Sequence, residues 1–185
     1  MEYPVKDLVT GTERVFFQTS DGHIGLRDAS GKQIARAAFS GPVCSRVREV
    51  DYYGTGKTQY LFASGSRLYL MDGKGMILPS FQTDLGRPVL VGPDVYSFSG
   101  DTAVMVLHED NSLSLYTLDG KVWPGWKDIR PSAKIFDLPE CVKAGDDVYW
   151  KVSLSSGERY WRFKGGKPLS ASKTRKLLKK ISTKT

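Results

Sequence analysis

The side chains of this 185-residue chain best suited to ligand chemistry are its aromatics. Trp123 and Trp126 flank Pro124-Gly125, and Tyr149, Trp150, Tyr160, Trp161 and Phe163 crowd two short neighbouring runs. Indole and phenol faces stack on sugar rings or peptide side chains when one face stays in water. The same residues can instead seal a hydrophobic interior. The candidate binding set is Trp123, Trp126, Tyr149, Trp150, Tyr160 and Trp161, with core packing as the competing role for each.

Other reactive types are scattered. No Gly-x-Ser-x-Gly elbow is present, and Ser97-Phe-Ser-Gly-Asp101 is turn-like with no base partner in view. His23 and His108 are the only histidines and belong to no His/Cys cluster, so no zinc site is expected. His108-Glu109-Asp110 reads as a solvated hairpin loop. Asp51-Tyr-Tyr-Gly54-Thr-Gly56-Lys57 keeps one carboxylate of the alternating oxygen ligands that a calcium loop needs. Gly54-Thr-Gly56-Lys57-Thr58 lacks the spacing of a phosphate loop and opens no helix. Cys44 and Cys141 lack metal spacing and make no disulfide framework. They read as small buried thiols, with one bridge between them as the alternative. The expectation is no catalytic residue, no metal and no cofactor.

The elements that must position these residues repeat. The segments 22–35, 66–79, 111–124 and 157–170 each run from a strand-like stretch into a Gly-Lys turn and a short, mostly apolar stretch. Aligned on Gly31, Gly73, Gly120 and Gly166, they are offset by 42, 47 and 46 residues. A strand-built repeat of this period marks propeller blades. Second strands are predicted over 13–20, 58–64, 102–108 and 147–154, with third strands from His23, Arg67, Ser112 and Arg159. Turn formers join them: Asp21-Gly22, Gly65-Ser66, Asp110-Asn111 and Ser156-Gly157. A fourth strand follows each Gly-Lys turn. The best first-strand candidates are 45–52 and 134–140. In 67–72, Leu68 and Leu70 share one face, with Arg67, Tyr69 and Met71 opposite; apolar residues on both faces suit sheets stacked face to face.

Hydrophobic content of 40% and charged content of 25% suit a globular domain. No run approaches the ~18 apolar residues of a membrane span, and the first residues do not read as a signal peptide. The net charge is +7, but the last fifteen residues hold six basic residues and no acid: Lys173, Arg175, Lys176, Lys179, Lys180 and Lys184. The remainder is nearly balanced. This argues against specific nucleic-acid binding by the blades and makes basicity a property of the tail. Leu177, Leu178 and Ile181 recur there at helical spacing, with Ser170 or Ser172 as N-cap.

The string 111–126, NSLSLYTLDGKVWPGW, resembles repeats of the quinoprotein-like and WD40-like propeller superfamily, with Trp123 at the position of the blade tryptophan. Together with 47–81 it also resembles the C-terminal repeat region of large, uncharacterised cell-envelope proteins of Bacteroidetes. That resemblance covers roughly residues 13–169. It implies an exported parent protein, a β-propeller segment and no known activity. It also implies that Trp123 docks between blades.

These readings converge on an all-β, propeller-like domain over 1–170, with four blade repeats of about 45 residues (4–42, 43–88, 89–132, 133–170). A short basic C-terminal helix and tail follow over 171–185. A four-bladed ring and an arc of a larger propeller both fit; the resemblance favours the arc. The expected function is non-catalytic binding or scaffolding in a bacterial cell envelope or periplasm. The expected partner is a protein or the remaining blades of the parent. The alternatives are a carbohydrate-binding module using the aromatic faces of the last two repeats, and a fragment of a quinone-cofactor dehydrogenase-like propeller.

Overall fold

The structure, a computed structural model, describes residues 1–183, with Gln82 described by its backbone only. Lys184, read above as part of the basic tail, lies outside the described residues. Four antiparallel sheets follow one another along the chain. The first holds β1 (Glu2–Lys6), β2 (Glu13–Gln18), β3 (His23–Asp28) and β4 (Gln33–Ala38). The second holds β5 (Val47–Val50), β6 (Gln59–Ser64), β7 (Arg67–Asp72) and β8 (Ile77–Asp84). The third has β9 (Val89–Phe98), β10 (Asp101–His108) and β11 (Leu113–Thr117). The fourth has β12 (Glu140–Ala144), β13 (Asp147–Leu154) and β14 (Gly157–Arg162), and then α1 (Ala171–Ser182). Strands pair in chain order, so each sheet is a meander.

The sheets stack in a row, each joint filled by its own apolar cluster. Phe16, Ile24 and Leu26 meet Val47, Tyr60 and Phe62 between the first and second sheets. Leu61, Leu68 and Leu70 meet Val104, Val106 and Tyr116 between the second and third. Met105, Leu107, Leu113 and Leu115 meet Trp150, Val152 and Trp161 between the third and fourth. A smaller cluster of Ala144, Tyr160, Leu169 and Leu177 joins the fourth sheet to α1. None of these clusters joins the first sheet to the fourth, so the stack is an arc. Position in the row explains the sequence pattern. The inner strand β6 is buried at all six residues because neighbours cover both its faces, whereas β1 at the end alternates exposed and buried.

The repeat is more regular than the sequence alignment. In three repeats the third strand ends in a turn where a glycine N–H donates to a carbonyl three residues back: Gly31 to Asp28, Gly75 to Asp72, Gly120 to Thr117. Gly165 does the same to Arg162. The equivalent glycines are therefore Gly31, Gly75, Gly120 and Gly165, spaced by 44, 45 and 45 residues, and not Gly73 or Gly166. All four have positive φ. Gly75 also abuts the preceding blade: a Cβ there would stand 2.9 Å from the Arg36 backbone nitrogen of β4.

Three expected strands differ. The strand expected over 134–140 is a connector through residue 139, with only an isolated bridge from Ile135 to Leu154; the first strand of the last sheet is β12, which begins at Glu140. After Gly120 the chain makes isolated bridges, Tyr116 to Val122 and Leu113 to Ile129, because Pro124-Gly125 interrupts any ladder. After Gly165 it makes one bridge, Trp161 to Pro168, for the same kind of reason. The terminal helix forms as its pattern predicts. Ser170 is its N-cap, accepting from the Lys173 N–H, and Leu177 is its buried residue.

Candidate functional site

Strand alternation decides which aromatics are available. On β13, Trp150, Val152 and Leu154 point into the joint with the third sheet; Trp161 lies opposite Trp150 on β14. Trp150 is 0% and Trp161 1% exposed. Trp126 is buried in the same cluster. Their indole N–H groups are satisfied internally: Trp150 donates to the Phe163 carbonyl, Trp161 to the Gly166 carbonyl, Trp126 to the Asp128 carboxylate. Tyr160 is buried on the other face beneath α1. The expectation of a ligand platform on Trp126, Trp150, Tyr160 and Trp161 is corrected: these rings build the core, and none keeps a face in water. Trp123 and Tyr149 are half-buried and each lines a cleft.

Tyr149 belongs to a cleft of about 580 Å³ between the third and fourth sheets. Phe98 and Phe163 line it, with ring centroids 4.8 Å apart. Both are braced from the core, Phe163 by the Trp150 ring stacked at 5.9 Å and Phe98 by Trp150 at 6.1 Å. The wall carries Lys143, Arg162 and Lys164, and the β12–β13 turn adds Asp146 and Asp147. The fourth sheet's Lys151 is engaged by Glu140 and Glu158. Lys143, Arg162 and Lys164 have no ion pair among the described residues. Lys180 of α1 reaches the rim, its Nζ 3.6 Å from where a Cβ would stand on Gly145.

Trp123 packs edge-on against Phe98 and Phe163, at 6.3 and 6.0 Å, and so lies between the third and fourth sheets. Its accessible side lines a second cleft of about 410 Å³ with Tyr52, Asp101, Asp119 and Pro124. A third cleft, of about 920 Å³, is lined by Lys6, Glu13, Arg14, Asp28, Gly31, Arg48 and their neighbours at the first two sheets. All three clefts open where first strands turn into second strands and third strands end, so one end of the stack carries them.

The opposite end is tied by a polar knot. Arg87, in the link between second and third sheets, donates to Asp110, Ser112, Ser114 and Asp128 at 2.5–3.0 Å. A hydrogen bond from Ser112, and then Arg87, holds the Asp110 carboxyl down to about 2. His108 is not in a solvated loop, as its sequence context suggests, but 0% exposed. Its Nδ1 faces the Arg87 and Pro88 carbonyls and its Nε2 the Tyr116 hydroxyl, at 3.0–3.2 Å. Nδ1–H donating to the carbonyls and Nε2 accepting from Tyr116 satisfy a neutral ring. Burial, reinforced by Arg87, lowers its pKa. Cys44 and Cys141 are half-buried free thiols at different joints, packed against the second–third and third–fourth clusters.

Solved structures place this arrangement. The structure of BBS1N in complex with ARL6DN, soaked with lead, matches with TM-score 0.62 and 14% identity, over 92% of this chain and 53% of that chain. Its mercury-soaked counterpart gives 0.59 and 15%, over 92% and 55%. BamB from Moraxella catarrhalis gives 0.56 and 13%, over 92% and 46%. The fold is a β-propeller fold. The chain spans about half the length of these propellers, in keeping with four blades in an arc. No protein-family model and no curated protein matches the sequence.

The sequence reading missed Phe98, Lys143, Arg162 and Lys164 as cleft residues. The one signal available was register: Tyr149 pairs with Arg162 across β13 and β14, on the opposite face from Trp150 and Trp161.

Proposed function

We propose that this chain is a non-catalytic protein-interaction or scaffolding module of a bacterial cell envelope, acting through the cleft-bearing end of its blades. The observation that carries this reading is the placement of the two largest clefts, of about 920 and 580 Å³, together with the Trp123 cleft, on one end of a rigidly packed stack. Every blade joint is filled with apolar side chains, so the turns are held in fixed relation, as a docking platform requires. BBS1N, a propeller of the same fold, is seen in complex with ARL6DN, which supports the reading by analogy.

Photo-crosslinking in cells tests it. A photoreactive residue replacing Lys74, in the turn before β8, should give discrete protein adducts. The same residue replacing Ser156, at the opposite end, should give few. Equal adducts from both positions, or none from any position tested at the cleft-bearing end, would overturn the proposal. Fractionation tests the location: the protein should sediment with envelope or appear in periplasm.

A second reading has one observation of its own. Trp123, Tyr52, Asp101 and Asp119 around one cleft combine stacking surface with carboxylate acceptors, as sugar sites do. Glycan-array binding that is lost in Trp123→Ala and kept in Lys74→Glu would favour it.

A further inference from the structure

The charge of this molecule is collected at one end of the row. Residues 140–185 hold 12 of the 27 basic residues but four of the 20 acidic ones, a net +8; the first 139 residues sum to −1. The structure brings the two sources of that charge together. Helix α1 lies on the fourth sheet through Leu177 and Ile181, beside the strands that wall the Phe98–Phe163 cleft. Lys173, Arg175, Lys176, Lys179 and Lys180 have no ion pair among the described residues. Lys180 spans from the helix to the cleft rim at Gly145.

We propose that this cleft and the adjoining basic face of α1 bind an acidic peptide segment of a protein partner, which inserts one aromatic or large aliphatic side chain against Phe98 and Phe163. This rests on the protein-interaction reading above and names the partner's chemistry. Complementarity selects acidity, since Lys143, Arg162 and Lys164 make no ion pair among the described residues and outnumber the two carboxylates of the same cleft. The apolar floor selects an anchoring side chain, for desolvated aromatic pockets hold most of the binding energy in peptide recognition. The turn carboxylates Asp146 and Asp147 select a peptide over a uniform polyanion. A phosphodiester chain or an anionic bilayer would be repelled by that pair, whereas a peptide can present a backbone N–H or a lysine to it.

Fluorescence anisotropy at low salt provides the test, with a short Glu/Asp-rich synthetic peptide carrying one central Phe as probe. Binding should weaken by about tenfold or more in Arg162→Glu/Lys164→Glu. It should change little in Lys32→Glu/Lys74→Glu, which removes the same charge from the first two blades. Replacing the peptide's Phe with Ala should cost about as much as the cleft substitutions. Equal loss from both pairs of substitutions, or no loss on removing the Phe, would overturn the cleft as the site. Tighter binding to oligo(U), or to vesicles of phosphatidylcholine and phosphatidylserine, would overturn the peptide as its occupant. A photoreactive residue replacing Lys164 separates this inference from the broader reading. Adducts at Lys74 without any at Lys164 would sink the cleft proposal and leave the interaction module standing; adducts at neither would sink both.

Discussion

The two ends of the blade row solve the same problem differently. Each terminal sheet has one face with no neighbouring sheet. In the fourth sheet that face carries Val142, Ala144, Tyr149 and Tyr160, too apolar to leave in water, and α1 lies over it with Leu177 and Ile181. In the first sheet the corresponding face carries Glu2, Lys6, Glu13 and Arg27 and has no covering element among the described residues. Its one large aromatic, Phe17, is still only 3% exposed. The ring lies across from Gly25, its cross-strand partner, and Arg27 closes over it with the guanidinium 4.3 Å from the ring centre. Glu2 holds Arg27 in place at 2.7 Å. One end is covered by an extra element, the other by its own side chains. The two outer faces are thus covered by different means.

The joint beside the helix-covered end should be the most sensitive. Trp150→Ala empties a fully buried site shared by the third and fourth sheets. Urea unfolding should show a loss of about 3–5 kcal/mol. A loss under about 1 kcal/mol, typical of surface positions, would mean that the fourth sheet is only loosely joined to the row.

Leu177→Ala should come next, at about 2–3 kcal/mol, because the side chain is buried but touches a small cluster at the edge. It should also raise dye binding to exposed apolar surface, since Tyr160 and Leu169 lose their cover. If stability and dye binding both stay unchanged, the helix is an appendage and the contrast between the ends fails.

Gly25→Ala probes the self-covered end. A Cβ there would stand 2.3 Å from the Ala35 carbonyl oxygen and 2.5 Å from the Phe17 ring. The strand or the ring must shift, at a cost of about 1–3 kcal/mol. A neutral substitution would show that Phe17 does not lie flat over the sheet.

These predictions rest on faces, and faces were the part of the site least legible in the sequence. Types and turns were readable: β3 and β7 occupy the runs predicted for them, and the blade period is visible. Period two separates Tyr149 from Trp150 but cannot say which of them meets another sheet. That depends on the neighbour, here β10 and β11, more than thirty residues earlier. Phe98 joins Phe163 in the cleft across a still longer stretch, with no local mark of the pairing. His108 was misread because its partners, the Arg87 and Pro88 carbonyls, come from a connector about twenty residues away. The first strands β9 and β12 escaped for a local reason. β12 is the short run Glu-Cys-Val-Lys-Ala, and β9 contains Gly92-Pro93, which breaks a strand pattern on paper.

The middle of the row offers a pH-based contrast with its ends. His108 is held neutral, with a folded pKa below the ordinary imidazole value near 6.5. As pH falls through that ordinary value, the unfolded chain gains a proton that the folded protein refuses, so stability drops. Urea midpoints should be lower at pH 5.5 than at 7.5, and His108→Gln should flatten that difference even if it lowers both values. An unchanged slope in His108→Gln would assign the pH response to other groups.

The smallest effect should come from Arg27→Ala at the first sheet. Cation–π contacts at partly exposed sites are worth about 0.5–1 kcal/mol, and an exposed pair such as Arg27–Glu2 adds little more. Arg27→Lys should keep part of the effect through its alkyl stem, which can still lie over Phe17. The informative comparison is with Leu177→Ala. If the first sheet is covered by its own side chains, removing one of them uncovers only Phe17, and the protein should keep its oligomeric state and nearly normal stability. If Arg27→Ala instead causes association or a loss as large as that of Leu177→Ala, the first sheet needs its charged cover as much as the fourth needs its helix. The outer face of the first blade would then be a suppressed docking surface for a further sheet.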